Sequence, residues 1–313
     1  MLMRTEAIPA ETLFPCWRGR EPFAPRLPEV SAVLHARTPG LAQAIETLPF
    51  ETFEAADRVT GLVHPYPRVP AEAAELLERV PHDLRAPWLC ALLIWLMGRF
   101  EERFAASGLH EEFALHYADH FHRILDQITE TPDFAELDAD SFRKDLWIAR
   151  VVMVPAFAQC WWPHAGLALR DVVRAGSKAT ANLFLRCGGR RPFLEGHTHD
   201  PVAKAYWNEP GWKEALRLAA LALPAFPKAR GVCGTAWFYD PAILEVTPRL
   251  GFAQQLQIGR GAFRFVIGSN EAAIRNATAT SADRRTRYQD GSYVPTDYAV
   301  VWPRRAIIAA YGR

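Results

Sequence analysis

The residues richest in chemistry lie between Arg191 and Asp240. The run Arg191-Pro-Phe-Leu-Glu-Gly-His-Thr-His-Asp200 releases two imidazoles and a carboxylate at the end of a short apolar segment. His197 and His199 are two apart, so an extended backbone turns both to the same side. His-x-His at a strand end is a metal-ligand spacing, and imidazoles also exchange protons near neutral pH. A third option is structural: the same side chains can cap the strand and bond the following turn. A metal would need a further ligand. No histidine follows position 199, and His164 is the nearest upstream, so that reading takes His164, His197, His199 and Asp200. Tyr239 closes a second apolar run, Gly231 to Asp240, and its phenol can protonate a leaving group. The catalytic candidates are therefore His197, His199, Asp200 and Tyr239, with Glu195 and Trp207 as candidate substrate contacts.

Two other constellations stand out. In His110-Glu-Glu-Phe-Ala-Leu-His116-Tyr-Ala-Asp119-His120-Phe-His122, residues Glu112, His116 and His120 share one helix face with Asp119. Carboxylates and histidines on bundle helices build di-metal centres, but only with carboxylates from further helices. This face is expected to be a polar, structural or solvated surface. In Arg174-Ala-Gly176-Ser-Lys178-Ala-Thr180, small and basic residues precede a helix, an arrangement that can offer N–H groups to an anion. It lacks the Gly-Lys-Ser/Thr order of a phosphate-binding loop.

The elements that must hold these groups follow from periodicity. Phe193 to His199 reads as a strand. Trp212 to Leu223 has helical spacing and ends at Pro224 and Pro227. Val232 to Tyr239 reads as a second strand, and Asp240-Pro241 as the start of another helix. A right-handed crossover through the helix makes the two strands parallel and puts their C-terminal ends on one edge. Upstream, Ala71–Val80, Pro87 to about Ala106 and Leu109 to Ile128 read as helices, and Trp88 to Met97 is too apolar to face water. Leu146 to Val154 reads as a buried strand, being rich in β-branched residues. Phe263–Ile267 and Tyr298–Trp302 are further strands, with short helices at Glu271–Thr278 and Ala282–Gln289 between them. The fold class expected is α+β: an extended proline-rich arm over 1–35, an α-helical region over 36–140, and a mixed-sheet α/β domain over 141–313.

Composition narrows the classes. The 313 residues are 50% hydrophobic and 23% charged, which is globular. A formal charge of +1 argues against a nucleic-acid footprint; Arg284, Arg285 and Arg287 read as a solvated helix face. Five cysteines without a Cys-x-x-Cys pair fit a reducing cytoplasm. No signal peptide and no membrane span are expected, because the longest apolar run is about half the roughly 20 residues a bilayer needs.

The segment Tyr239-Asp-Pro-Ala-Ile-Leu-Glu-Val-Thr-Pro-Arg-Leu250-Gly251-Phe252 resembles the end of an acyl-CoA N-acyltransferase (GNAT-like) domain. There an aromatic-bearing helix leads into a Leu-Gly-Phe turn before the penultimate strand. The resemblance covers about a third of the chain. It implies an acyl-thioester donor (acyl-CoA or an acyl carrier protein), an amine acceptor, and a tyrosine that protonates the leaving thiolate, here Tyr239. A glycine-rich pyrophosphate loop is missing: Pro201 to Gly211 holds one glycine. The function expected is acyl transfer to an amine-bearing small molecule. The alternatives are a metal-dependent enzyme using the His197-x-His199-Asp200 cluster, and a non-catalytic binding protein that meets a partner or a second copy through its arm or helical region.

Overall fold

A computed structural model describes residues 14–58 and 69–311. The chain is α+β, and among the described residues six strands form one mixed sheet in the order β1-β2-β3-β4-β6-β5. It divides into two compact units. Of the described residues, the first holds 14–58 and 69–160 together with His199–Tyr206; the second holds Trp161–Thr198 and 207–311. The start of the proline-rich arm lies outside the described residues.

The first unit contains helices α1 (Arg26–Arg37), α2 (Leu41–Thr47), α3 (Phe50–Ala56), α4 (Ala71–Leu77), α5 (Arg85–Met97), α6 (Phe100–Ser107), α7 (Glu112–Glu130) and α8 (Asp140–Ala149), then strand β1 (Val154–Ala156). In place of an extended arm to residue 35, the chain is helical from Arg26, and Phe14 and Trp17 are buried in this unit. Apolar anchors at these positions hold a segment that proline content alone would leave extended. The apolar run in α5 is core: Trp88 and Leu93 are fully buried, and Trp88 Nε1 donates to the Leu48 carbonyl at 3.1 Å.

Leu146 to Val154 is not a strand. Asp140–Ala149 forms α8, and strand structure begins only at Val154. Every residue from Phe142 to Ala149 is buried, including Arg143, Lys144 and Asp145. A helix covered on all sides shows no polar face, so its sequence cannot be told from a buried strand by period.

The second unit carries most of β2 (Gln159–Ala165), α9 (Leu169–Arg174), α10 (Gly176–Cys187), β3 (Phe193–Thr198), α12 (Glu209–Ala222), β4 (Gly231–Ala236), α13 (Ile243–Val246), α14 (Phe252–Ile258), β5 (Phe263–Gly268), α15 (Glu271–Ala279), α16 (Ala282–Gln289), β6 (Asp297–Pro303) and α17 (Arg304–Tyr311). Helix α11 (Asp200–Tyr206), between β3 and α12, belongs to the first unit. Strands β3 and β4 are parallel, as the crossover requires, and β6 inserts antiparallel between β4 and β5. One face of this sheet is sealed by α10, whose Ala179, Leu183 and Cys187 pack with Phe193, Cys233, Phe265 and Val301. Arg284 is buried rather than solvated: its guanidinium stacks over Trp237 and donates to the Thr247 hydroxyl. Among the described residues no helix is long and apolar enough to cross a membrane.

Candidate functional site

Two places in the fold gather chemistry, one in each unit. In the first, α7 supplies His120 and Arg123, α8 supplies Asp145, and the residue before α11 supplies His199. His120 Nε2 lies 2.8 Å and His199 Nε2 2.7 Å from the same oxygen, Asp145 Oδ1, and Arg123 Nη2 bonds that oxygen as well. All three of His120, Asp145 and His199 are buried. The helical face carrying His116 and His120 is therefore neither wet nor a surface; His116 packs edge-on against Phe157 instead of joining the cluster.

The charge state follows from who neutralises whom. The Arg123 guanidinium and the hydrogen bonds from both imidazoles hold the Asp145 carboxyl well below the usual range, despite its burial. Burial, reinforced by Arg123, pushes His120 down to about 4. Burial lowers His199 as well. The ion pair is thus Arg123–Asp145, and both histidines are neutral Nε2–H donors to the carboxylate. His199 Nδ1 is then left buried without a hydrogen-bond partner, which costs about 1–3 kcal/mol.

His120, Asp145 and His199 are the described residues grouped closely enough to hold a metal ion. Ligands at 2.0–2.1 Å around a tetrahedral ion stand about 3.3 Å apart. The Nε2–Oδ1 spacings of 2.7 and 2.8 Å are hydrogen bonds instead, and a guanidinium already occupies the oxygen both would share. The donor set is that of a satisfied buried carboxylate. Beside it opens a cleft of about 350 Å³ lined by Cys16, Arg18, Asp119, Arg123, Asp126 and Tyr206, among others. Asp119 accepts from the Arg18 backbone N–H at 2.7 Å and the Tyr206 hydroxyl at 3.0 Å, and burial raises its carboxyl.

The second place is the β3–β4 step. The parallel ladder between these strands consists of Leu194–Val232 and Glu195–Cys233, although the strands run on to Thr198 and Ala236. By contrast, β4 pairs with β6 along its whole length, from Gly231 to Ala236. Just past the ladder stand two glycines, Gly196 and Gly234. A Cβ placed on Gly234 would meet the Tyr239 hydroxyl at 3.1 Å and the Gly196 carbonyl at 3.7 Å. Tyr239 thus lies in the turn after β4 with its oxygen over the point where pairing stops. It is buried among Trp212 and Phe238, and Gln257 Nε2 donates to it at 3.4 Å. Burial pushes its phenol up, so the O–H keeps its proton.

The candidates named from sequence divide accordingly. Glu195 and His197 share a face, with His197 Nε2 3.5 Å from Glu195 Oε2. That face is the one on which Cys233, in register with Glu195, packs into the α10 cluster. Successive strand residues alternate faces, so Gly234 and the Tyr239 hydroxyl lie on the opposite side from Glu195 and His197. The parallel strands do bring both sets to one region, but the sheet separates them. His197 and His199 also part company, since His199 turns to Asp145. Asp200 is exposed at the first turn of α11. Trp207 is half-buried against Trp212 and Phe238, in the aromatic cluster on the Tyr239 side. His164 lies in β2, and its side chain is outside the described residues. Of the set His164, His197, His199 and Asp200, His199 is hydrogen-bonded to Asp145 and Asp200 is exposed at the start of α11.

Asp145 and Arg123 escaped sequence reasoning. A signal was present: Asp145 is a charge inside an otherwise buried stretch, and such a charge needs a cationic partner. Arg174-Ala-Gly176-Ser-Lys178 forms the junction of α9 and α10, with α10 opening at Gly176. Comparison with protein-family models, curated proteins and solved structures finds no match to this chain.

Proposed function

We propose that the chain is an acyltransferase that moves an acyl group from a thioester donor to an amine-bearing small molecule, with the reaction centre at the β3–β4 step. The observation that carries this reading is the parallel ladder that stops after Glu195–Cys233, with the Tyr239 hydroxyl over the stop. Past Cys233 the side of β4 facing away from β6 carries no described strand pairing, and such an edge offers N–H and C=O groups to an extended, amide-bearing chain, the same way a peptide adds to a sheet edge. The pantetheine arm of an acyl thioester is such a chain. Leu250-Gly251-Phe252 supports the same reading, since it leads into α14 immediately before β5, the penultimate strand.

In the reaction, the amine nitrogen attacks the thioester carbonyl, the C–N bond forms and the C–S bond breaks. The departing thiolate takes the proton of the Tyr239 O–H. The nitrogen releases its extra proton to solvent, and the phenolate is reprotonated. The raised phenol suits an acid that must stay protonated until a strong base appears beside it. His197 and Glu195 lie across the sheet from this hydroxyl and take no part in this step.

The test is to incubate the protein with octanoyl-coenzyme A and a panel of primary amines, following free thiol and the amide by mass spectrometry. Loss of the Tyr239 proton donor in Tyr239→Phe is expected to slow transfer by roughly 10²–10⁴-fold. Transfer at an undiminished rate in that variant removes Tyr239 from the chemistry, and no turnover with any amine removes the reading.

A further inference from the structure

Helices α9 and α10 carry an outer surface that the fold does not use. The buried face of α10, Ala179, Leu183 and Cys187, lies on the sheet. On the opposite side run Ser177, Lys178, Ala181, Phe184 and Leu185, at the three- and four-residue spacing of one helical stripe. Phe184 is 57% and Leu185 85% exposed, and α9 adds Leu169 and Val173. Large apolar side chains so exposed and so close together mark an interaction surface rather than ordinary scatter.

Along these two helices the fully exposed charges have one sign. Arg170, Arg174, Lys178 and Arg186 are all exposed. The one acidic residue between Leu169 and Cys187 is Asp171, mostly covered and 3.5 Å from Arg170. The net charge of the whole chain is only +1, so this cationic rim is local.

Its position relative to the proposed reaction centre follows from topology. The short Gly188–Pro192 connection returns α10 into β3, so α10 runs antiparallel to that strand and its N-terminal end lies at the strand's C-terminal edge. A hydrogen bond fixes the same point independently. Strands β4 and β5 are both antiparallel to β6, so their C-terminal ends share an edge. Arg174 Nη1 donates at 3.4 Å to the carbonyl of Ile267, at the end of β5. The α9–α10 junction therefore stands at the edge of the sheet where β3 and β4 cease to pair.

We propose that this surface docks an acidic carrier protein that delivers the acyl group as a protein-bound thioester. The inference rests on the acyl-transfer reading and names its donor. Cations around an apolar centre complement a carboxylate-rimmed apolar helix face, and such rim charges govern association and its salt dependence. An anionic bilayer would meet the same charges, but α10 spans 12 residues and offers two large apolar side chains on this stripe. Interfacial helices hold to a bilayer by a long apolar face.

The experiment measures binding of three probes: an octanoyl-loaded acyl carrier protein, the uncharged S-octanoyl-pantetheine, and phosphatidylglycerol vesicles. Each is titrated against the full chain, the triple variant R170E/R174E/K178E and, as a check on charge reversal itself, Leu185→Asp. The expected result is carrier binding that weakens at least tenfold in both variants and with added salt, while S-octanoyl-pantetheine binds all three alike. Carrier binding that ignores both variants overturns the docking surface. Pantetheine binding without carrier binding overturns the carrier proposal and leaves acyl transfer standing. Binding of neither thioester defeats both. Vesicle binding that follows the variants, with the carrier indifferent to them, assigns the patch to a membrane and overturns the proposal.

Discussion

Acid should unfold the helical unit through His120. In the fold this imidazole is held at about 4, against 6.5 for an unperturbed histidine; burial is the largest cause, with Arg123 second, and Asp145 only partly offsets them. The unfolded chain thus takes up a proton in a range where the folded chain refuses it. Stability from this group is complete above about 6.5, falls as the pH drops, and is gone below about 4. A gap of about 2.5 units at 1.36 kcal/mol each is a loss of about 3 kcal/mol. His199, lowered by the same burial, adds loss in the same direction. Asp145 stays ionised through that window, because its carboxyl is held far below it. Asp119 acts the other way: its raised carboxyl makes acidification favour the fold, so the bare pH profile understates the histidine effect. The clean measurement is therefore a difference. His120→Gln keeps a donor where Nε2 stood but does not titrate. Denaturant unfolding of wild type and variant from pH 7.5 to 4.5, with amide exchange in α7 as local readout, should show the wild type losing stability more steeply. Imidazole NMR should place His120 near 4. A midpoint near 6.5, or parallel profiles for the two proteins, would refute the neutral-donor reading of the cluster.

Removing the carboxylate should be costlier than removing a donor. Asp145→Asn leaves Arg123 largely buried and uncompensated, an expected loss of about 3–5 kcal/mol in denaturant unfolding, and a change below 1 kcal/mol would contradict a buried ion pair. Because that carboxylate is satisfied by protein donors alone, dialysis against a chelator is expected to leave the melting temperature unchanged; a drop on chelation, restored by zinc, would reinstate a metal at His120, Asp145 and His199. Leu93→Ala empties a fully buried position of α5 and should cost about 2–5 kcal/mol, read from the same unfolding curves. Gly234→Ala would press a methyl against the Tyr239 hydroxyl, and slower acyl transfer at nearly normal stability is the expected outcome of a kinetic and thermal comparison.

What the sequence determined was local and pairwise. Periods over Ala71–Val80 and Leu109 to Ile128 sufficed for helices, because each has a polar face to contrast with its core face, whereas Pro87 to about Ala106, read as one helix, is two, Arg85–Met97 and Phe100–Ser107. The crossover from Phe193 through α12 to Tyr239 required parallel strands, since chirality leaves little choice. The continuous apolar character of Trp88 to Met97 required burial. Tertiary structure decided the rest wherever burial erased the pattern or where partners lie far apart in the chain. Helix α8 looked like a strand because packing on every side hides its period. His116 and His120 could be read from sequence as structural or solvated, and tertiary structure decided for burial: their helix is covered on the polar side as well, with Arg123 and Asp145 meeting the charge requirement there. His199 was legible as a histidine at a strand end, but its partner is 54 positions earlier in the chain. No spacing rule reaches that far. His197 and Tyr239 were correctly brought to one region by strand order, yet a sheet is one residue thick and alternates its faces. Which side each group serves was therefore fixed by the Glu195–Cys233 register, which hydrogen bonding between strands sets and the chain order does not.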